Sequence, residues 1–102
     1  MFKNGMRPVH PGEILREDYL VPLGLSVNKL ALALKVPTSR MNDIVNGTRG
    51  VSADTALRLE RYFGSEAQGW LNLQAIYDLK TAEKTSAKAI AKEVEPRQLM
   101  AA

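Results

Sequence analysis

The stretch that decides the fold is Ser26-Val-Asn-Lys-Leu-Ala-Leu-Ala-Leu-Lys-Val-Pro-Thr-Ser-Arg-Met-Asn-Asp-Ile-Val-Asn-Gly47. Val27, Leu30, Ala31 and Leu34 recur at helical spacing and form one apolar stripe over a helix at about 26–34. Ser26 is its N-cap, since a hydroxyl oxygen there can accept a free amide of the first turn. Lys35-Val36-Pro37 breaks the stripe as a turn. A second helix follows over about 38–45, with Met41, Ile44 and Val45 inward at i, i+3 and i+4. Asn46-Gly47 stops it, because both residues tolerate positive φ. The two helices have unlike faces. The first is mostly apolar, whereas the second keeps Thr38, Ser39, Arg40, Asn42 and Asp43 outward. That asymmetry predicts a helix-turn-helix, whose second helix enters the major groove of DNA.

Working outward, residues 1–10 read as a short arm. Pro11 opens a first helix, because proline is tolerated at the first helical position, and Val21-Pro22 is expected to end it. After Gly47, Thr48-Arg49-Gly50-Val51 is a loop. Ser52 caps a fourth helix with Ala56, Leu59 and Phe63 on one face, and Gly64 stops it. Ser65-Glu-Ala-Gln68 has the spacing of a capping box, in which side chains of the cap and the third residue satisfy each other's amides. It opens a fifth helix over about 66–80, with Trp70, Leu73 and Tyr77 as its stripe. Residues 81–102 are a polar tail with little to bury; the stretch beyond Lys80 is compatible with a continued solvated helix, and Pro96 ends any helix there. The expected fold is all-α: five helices over residues 11–79, packed around Leu30, Leu34, Met41, Ile44, Leu59, Phe63 and Trp70.

The chain has 102 residues, 45% of them hydrophobic, enough for one compact core in one small domain. There is no cysteine, so no disulfide framework and no thiolate chemistry. No apolar run reaches membrane-spanning length, and the start lacks a stretch of signal-peptide type; a soluble, cytoplasmic protein is expected. Net charge is +3, and its distribution tells more than its size. Residues 1–50 hold seven Lys/Arg against four Asp/Glu, while residues 51–102 hold seven against seven. The excess cations lie in the half that carries the two-helix motif, as a phosphate backbone requires.

With the apolar residues of the motif buried, the opposite face of its second helix is fixed outward. Arginine can meet guanine with two donors, asparagine can meet adenine, and aspartate can accept from cytosine. Thr38, Ser39, Arg40, Asn42 and Asp43 are therefore the candidate base contacts. Two readings stand for Asp43: contact with cytosine, or repulsion of phosphate that sets the docking angle. Asn28 and Lys29 at the start of the preceding helix, and Thr48 and Arg49 in the following loop, flank this face. They are the candidate phosphate contacts, which set register rather than base choice.

Other constellations are weak. His10 is the only histidine, and a metal site needs several ligands. Glu17 and Asp18 are neighbours on a helix and point in different directions. There is no glycine-rich phosphate loop and no nucleophile motif. Neither catalysis nor a metal or cofactor is expected. Trp70 fits a core or a dimer contact. Leu71, Ile76 and Leu79 lie off the main stripe of the fifth helix and give it a second apolar face. Trp70, Leu71, Leu73, Ile76 and Leu79 thus form a candidate homodimer face. A two-fold dimer would set two recognition helices ~34 Å apart, or a multiple of that, on palindromic DNA.

Over about residues 11–79 the pattern resembles the lambda-repressor-like, or XRE, family of helix-turn-helix domains. Three segments are similar to its HigA antitoxin subfamily. They are the run from His10-Pro-Gly-Glu-Ile-Leu-Arg-Glu17 through Gly47, Gly50-Val-Ser-Ala-Asp-Thr-Ala-Leu-Arg-Leu59, and Gly69-Trp-Leu-Asn-Leu-Gln-Ala-Ile-Tyr-Asp-Leu-Lys80. The resemblance implies an antitoxin that neutralises a HigB-type ribosome-dependent ribonuclease, represses its own operon, and dimerises through C-terminal helices. Lys3 and Arg7 in the arm then stand for contacts to DNA or toxin, or for a solvated end. Two residues depart from the general family pattern. Lys35 occupies a turn position commonly held by left-handed glycine, at a cost of about 1 kcal/mol. Pro37 replaces the usual Ser/Thr cap of the recognition helix, so that Thr38 is expected to act as cap. This moves the weight of base reading to Ser39, Arg40 and Asn42. A stand-alone XRE-type repressor without a toxin, and a protein-interaction module on the same scaffold, are the alternatives.

Overall fold

The computed structural model describes residues 7–98, which form five helices with no strand among them. Helix α1 runs as Pro11–Ile14, a π-helical stretch Leu15–Leu20, and Val21–Leu23. His10 is its N-cap, with Nδ1 accepting the Gly12 amide at 2.8 Å. Contrary to expectation, Val21-Pro22 does not end the helix. The Val21 amide donates to the Arg16 carbonyl, five residues back, and this wider turn gives the proline ring room that a regular α turn would deny it. The helix stops instead at Gly24, at φ 62°, where the Leu25 amide folds back to the Leu20 carbonyl at 2.9 Å.

Helix α2, Val27–Leu34, starts as expected: Ser26 Oγ accepts the Lys29 amide at 3.0 Å. It ends on Lys35 at φ 62° and ψ 45°, the only non-glycine with positive φ among the described residues. Helix α3 is Thr38–Val45. Its N-cap is Pro37, and Thr38 does not serve as cap. As the first helical residue, Thr38 directs its hydroxyl elsewhere.

Helix α4, Ala53–Phe63, is capped by Ser52 and closed by Gly64 at φ 82°. Helix α5, Ala67–Glu93, corrects two expectations. The capping box does not form. The Ala67 amide donates to the Glu60 carboxylate of α4 at 3.0 Å, while Ser65 Oγ accepts the Trp70 indole N–H at 2.9 Å. A carboxylate from α4 reaches the exposed amide and takes the place of a local cap. The helix also continues past residue 80 to Glu93, because the Ala, Lys and Glu of this stretch favour helix without burial. Its 27 residues give a rod about 40 Å long.

Leu15, Leu30, Met41, Ile44 and Leu59 are fully buried at the centre. Ala31 is also fully buried. Phe63, expected in the core, is half-buried at its edge and packs against Tyr19, with ring centroids 4.8 Å apart and planes tilted by 48°.

Candidate nucleic-acid interface

Burying Met41, Ile44 and Val45 fixes the rotation of α3 about its axis, because an amphipathic helix has one orientation that hides its stripe. Ser39 and Asn42 are left exposed, and neither side chain bonds any other described residue. Their hydroxyl and amide groups are therefore available to base edges. Thr38 is half-buried, and its hydroxyl donates to Asn28 Oδ1 at 2.9 Å. That bond joins the first residue of α3 to the first turn of α2. It leaves the Asn28 amide N–H groups beside Lys29 on the exposed end of α2.

The two charged residues of α3 are both paired. Arg40 Nη1 meets Asp54 Oδ2 of α4 at 3.0 Å. Asp43 Oδ2 meets Arg49 Nη2 at 3.3 Å. The carboxylate of Asp43 is thus turned toward the loop, where it steadies the Arg49 guanidinium. Thr48 closes the same turn, its amide donating to the Asp43 carbonyl at 2.8 Å and its hydroxyl at 3.1 Å.

Residues that sequence patterns did not single out support this face. Asp54 also accepts Arg58 Nε at 2.8 Å, and Arg58 Nη1 donates to the Leu34 carbonyl at the end of α2 at 2.9 Å. The pairing of Asp54 with Arg58 had a signal, since i,i+4 charges face each other on a helix. Its pairing with Arg40 had none. Arg58 and then Arg40 hold the Asp54 carboxyl below the usual carboxylate range, so it is ionised at neutral pH. Gln74 Oε1 of α5 accepts the Val51 amide at 2.8 Å and fastens the loop after α3 to α5. His10, dismissed as a metal ligand, caps α1 and packs its ring edge-on against Tyr77 at 4.8 Å. Burial pushes its imidazole below the usual value, partly offset by a hydrogen bond with the Arg49 backbone and the charge of Asp78.

The candidate dimer residues divide. Trp70 is 3% exposed and belongs to the core of its own protomer, which corrects its place on the dimer face. A side chain already buried has no surface left to give a partner. Leu71 and Leu73 are half-buried against that core, while Ile76 and Leu79 are exposed at 39% and 61%. In the arm, Arg7 forms a two-pronged pair with Glu13 at 2.9 and 2.8 Å. Lys3 and the last four residues of the tail lie outside the described residues. Among the described residues no group of three or more His, Asp or Glu is arranged to hold a metal ion, and no helix is long and apolar enough to cross a membrane.

Residues 15–70 match the helix-turn-helix family model. Virulence-associated protein I of Dichelobacter nodosus is 63% identical over 82 residues, 80% of this chain and 76% of its own length. An addiction module antidote protein of a HigA family from Coxiella burnetii has a solved structure 53% identical to this chain. It covers 89% of this chain and 99% of its own, with a TM-score of 0.83. The antitoxin HigA of Pseudomonas aeruginosa, solved with the higBA promoter, is 51% identical, with coverage of 90% and 100% and a TM-score of 0.86.

Proposed function

From a chain that belongs to the HigA antitoxin family of XRE-type helix-turn-helix proteins, we propose an antitoxin that binds the operator of its own operon as a homodimer, represses it, and neutralises a HigB-type ribonuclease. The observation that carries this reading is the outward face of α3, pinned to α2 through Thr38 and Asn28, on a fold whose relative from Pseudomonas aeruginosa was solved with promoter DNA.

The proposed readout follows from the chemistry of each group. Ser39, Arg40 and Asn42 meet base edges, while Thr38, braced by Asn28, sets how deeply α3 enters the groove. Asn28, Lys29, Thr48 and Arg49 hold the phosphates on either side. Asp43 aims Arg49 rather than reading cytosine. Two copies pair through the exposed side of α5 at Ile76 and Leu79, with Leu71 and Leu73 at the margin. The palindromic operator then receives two recognition helices about 34 Å apart. The protein acts in the cytoplasm and has no catalytic role.

A gel-shift titration with the DNA upstream of the protein's own gene tests the repressor. At low salt and micromolar dimer it gives a discrete shift that scrambled DNA abolishes less readily than the same operator unlabelled. No shift under those conditions sinks the claim. Co-expression with the protein encoded next door tests the antitoxin: a small basic ribonuclease should co-purify with it. If the neighbour is no ribonuclease and none is bound, a stand-alone repressor remains.

A further inference from the structure

We propose that Asp54 is a positioning residue for base selection: from the first turn of α4 it fixes the Arg40 guanidinium over the outer face of α3. The inference rests on the reading of α3 as the helix that enters the groove.

Three distances carry it. Asp54 Oδ2 accepts Arg40 Nη1 at 3.0 Å and Arg58 Nε at 2.8 Å. Arg58 Nη1 is itself anchored on the Leu34 carbonyl at 2.9 Å. The carboxylate is therefore steadied from α2 and α4, and it presents one oxygen to an arginine of α3. On Arg40 only Nη1 is engaged among the described residues, which leaves the other edge of the guanidinium to pair with a base. An arginine reads guanine with two parallel donors, so its plane must be set. An unrestrained arginine loses many rotamers on binding, and one already held loses fewer.

Stability alone does not account for this arrangement. Side-chain exposure is 57% for Asp54 and 31% for Arg40, and exposed ion pairs contribute little to folding. A carboxylate beside a surface meant for a polyanion is also adverse unless cations surround it. Here two arginines do, and the cluster keeps a net positive charge.

The test is operator binding by Asp54→Asn across a series of single base-pair substitutions, alongside Arg40→Ala and the double variant. Arg40→Ala identifies the base pair that Arg40 reads. Asp54→Asn should unfold within a few degrees of the wild type and bind scrambled DNA at least as tightly, since one negative charge beside the phosphates is gone. Its discrimination at that one base pair should fall about tenfold, within the range set by one bidentate contact. In the Arg40→Ala background the same change should add nothing, and Asp54→Glu should restore most of the discrimination. Wild-type discrimination in Asp54→Asn, or tighter operator binding with discrimination intact, overturns the positioning role. A wild-type protein that does not bind the operator overturns the reading of α3 and this inference with it.

Discussion

Gly12 of α1 lies against the backbone of Ile44 in α3 so closely that a Cβ at position 12 would overlap the Ile44 carbonyl. Glycine is required there by space rather than by backbone angle. This contact seats α3 on α1. Gly12→Ala should cost about 1–3 kcal/mol through forced separation of the two helices. Gly69 offers the opposite case, with nothing within 4 Å of its Cβ position inside α5. Gly69→Ala should gain about 0.5–1 kcal/mol by lowering the entropy of the unfolded chain. Thermal unfolding followed by circular dichroism should therefore move in opposite directions for the two variants.

Lys35 sits at φ 62° in the turn of the motif, where a side chain crowds its own carbonyl. Lys35→Gly relieves that strain and should raise stability by about 0.5 kcal/mol after the added flexibility of the unfolded chain is counted. Urea midpoints at constant slope would measure it. A decrease would mean that the lysine makes a compensating contact.

Trp70 and Leu79 occupy one helix and should fail differently. Trp70→Ala opens the core and should cost about 3–5 kcal/mol, a large share of the stability of a small domain. Leu79→Lys alters an exposed position and should leave the melting temperature of the protomer unchanged while abolishing the dimer. Light scattering across a dilution series separates the two. A Leu79→Lys protein that remains dimeric places the pairing face elsewhere.

His10 predicts a loss of stability on mild acidification. Its neutral Nδ1 accepts the Gly12 amide, and burial holds the folded-state pKa below the ordinary value of about 6.5. The unfolded chain therefore takes up the proton first. Stability is fully present above about pH 6.5 and declines as pH falls below it toward the lowered folded-state value. Denaturation midpoints measured from pH 8 to pH 5 should show this decline. In His10→Asn, whose side chain still accepts the amide but does not titrate there, the decline should flatten.

Arg49→Ala should weaken every DNA sequence alike and lower the salt dependence of binding by about one counterion. Affinity measured against salt for operator and scrambled DNA checks it. A loss confined to the operator would show that Arg49 contacts a base.

Much of this arrangement is legible in the amino-acid sequence. The helix-turn-helix stood out because the apolar stripes of α2 and α3 repeat within one or two turns. Ser26, Ser52, Gly47 and Gly64 mark boundaries by chemistry that acts over three or four residues. The sequence misleads in two kinds of place, where a distant group intervenes and where a helix widens locally. Glu60 took the amide that the capping box was to satisfy, and a widened turn carried α1 through Pro22. Trp70 is on the buried side of α5, and the sequence spacing could not tell a core stripe from a pairing face.

By itself the sequence determined the two-helix motif, the faces that α2 and α3 hide, and which polar residues α3 shows to solvent. Those properties depend on periodicity and on local backbone chemistry. Only the tertiary structure decided how the shown residues are aimed. Arg40 is held by Asp54 fourteen residues away, and Val51 is held by Gln74 twenty-three residues away. Such pairs form because packing the core brings separate helices within hydrogen-bond reach. No local pattern records which side chains will then meet.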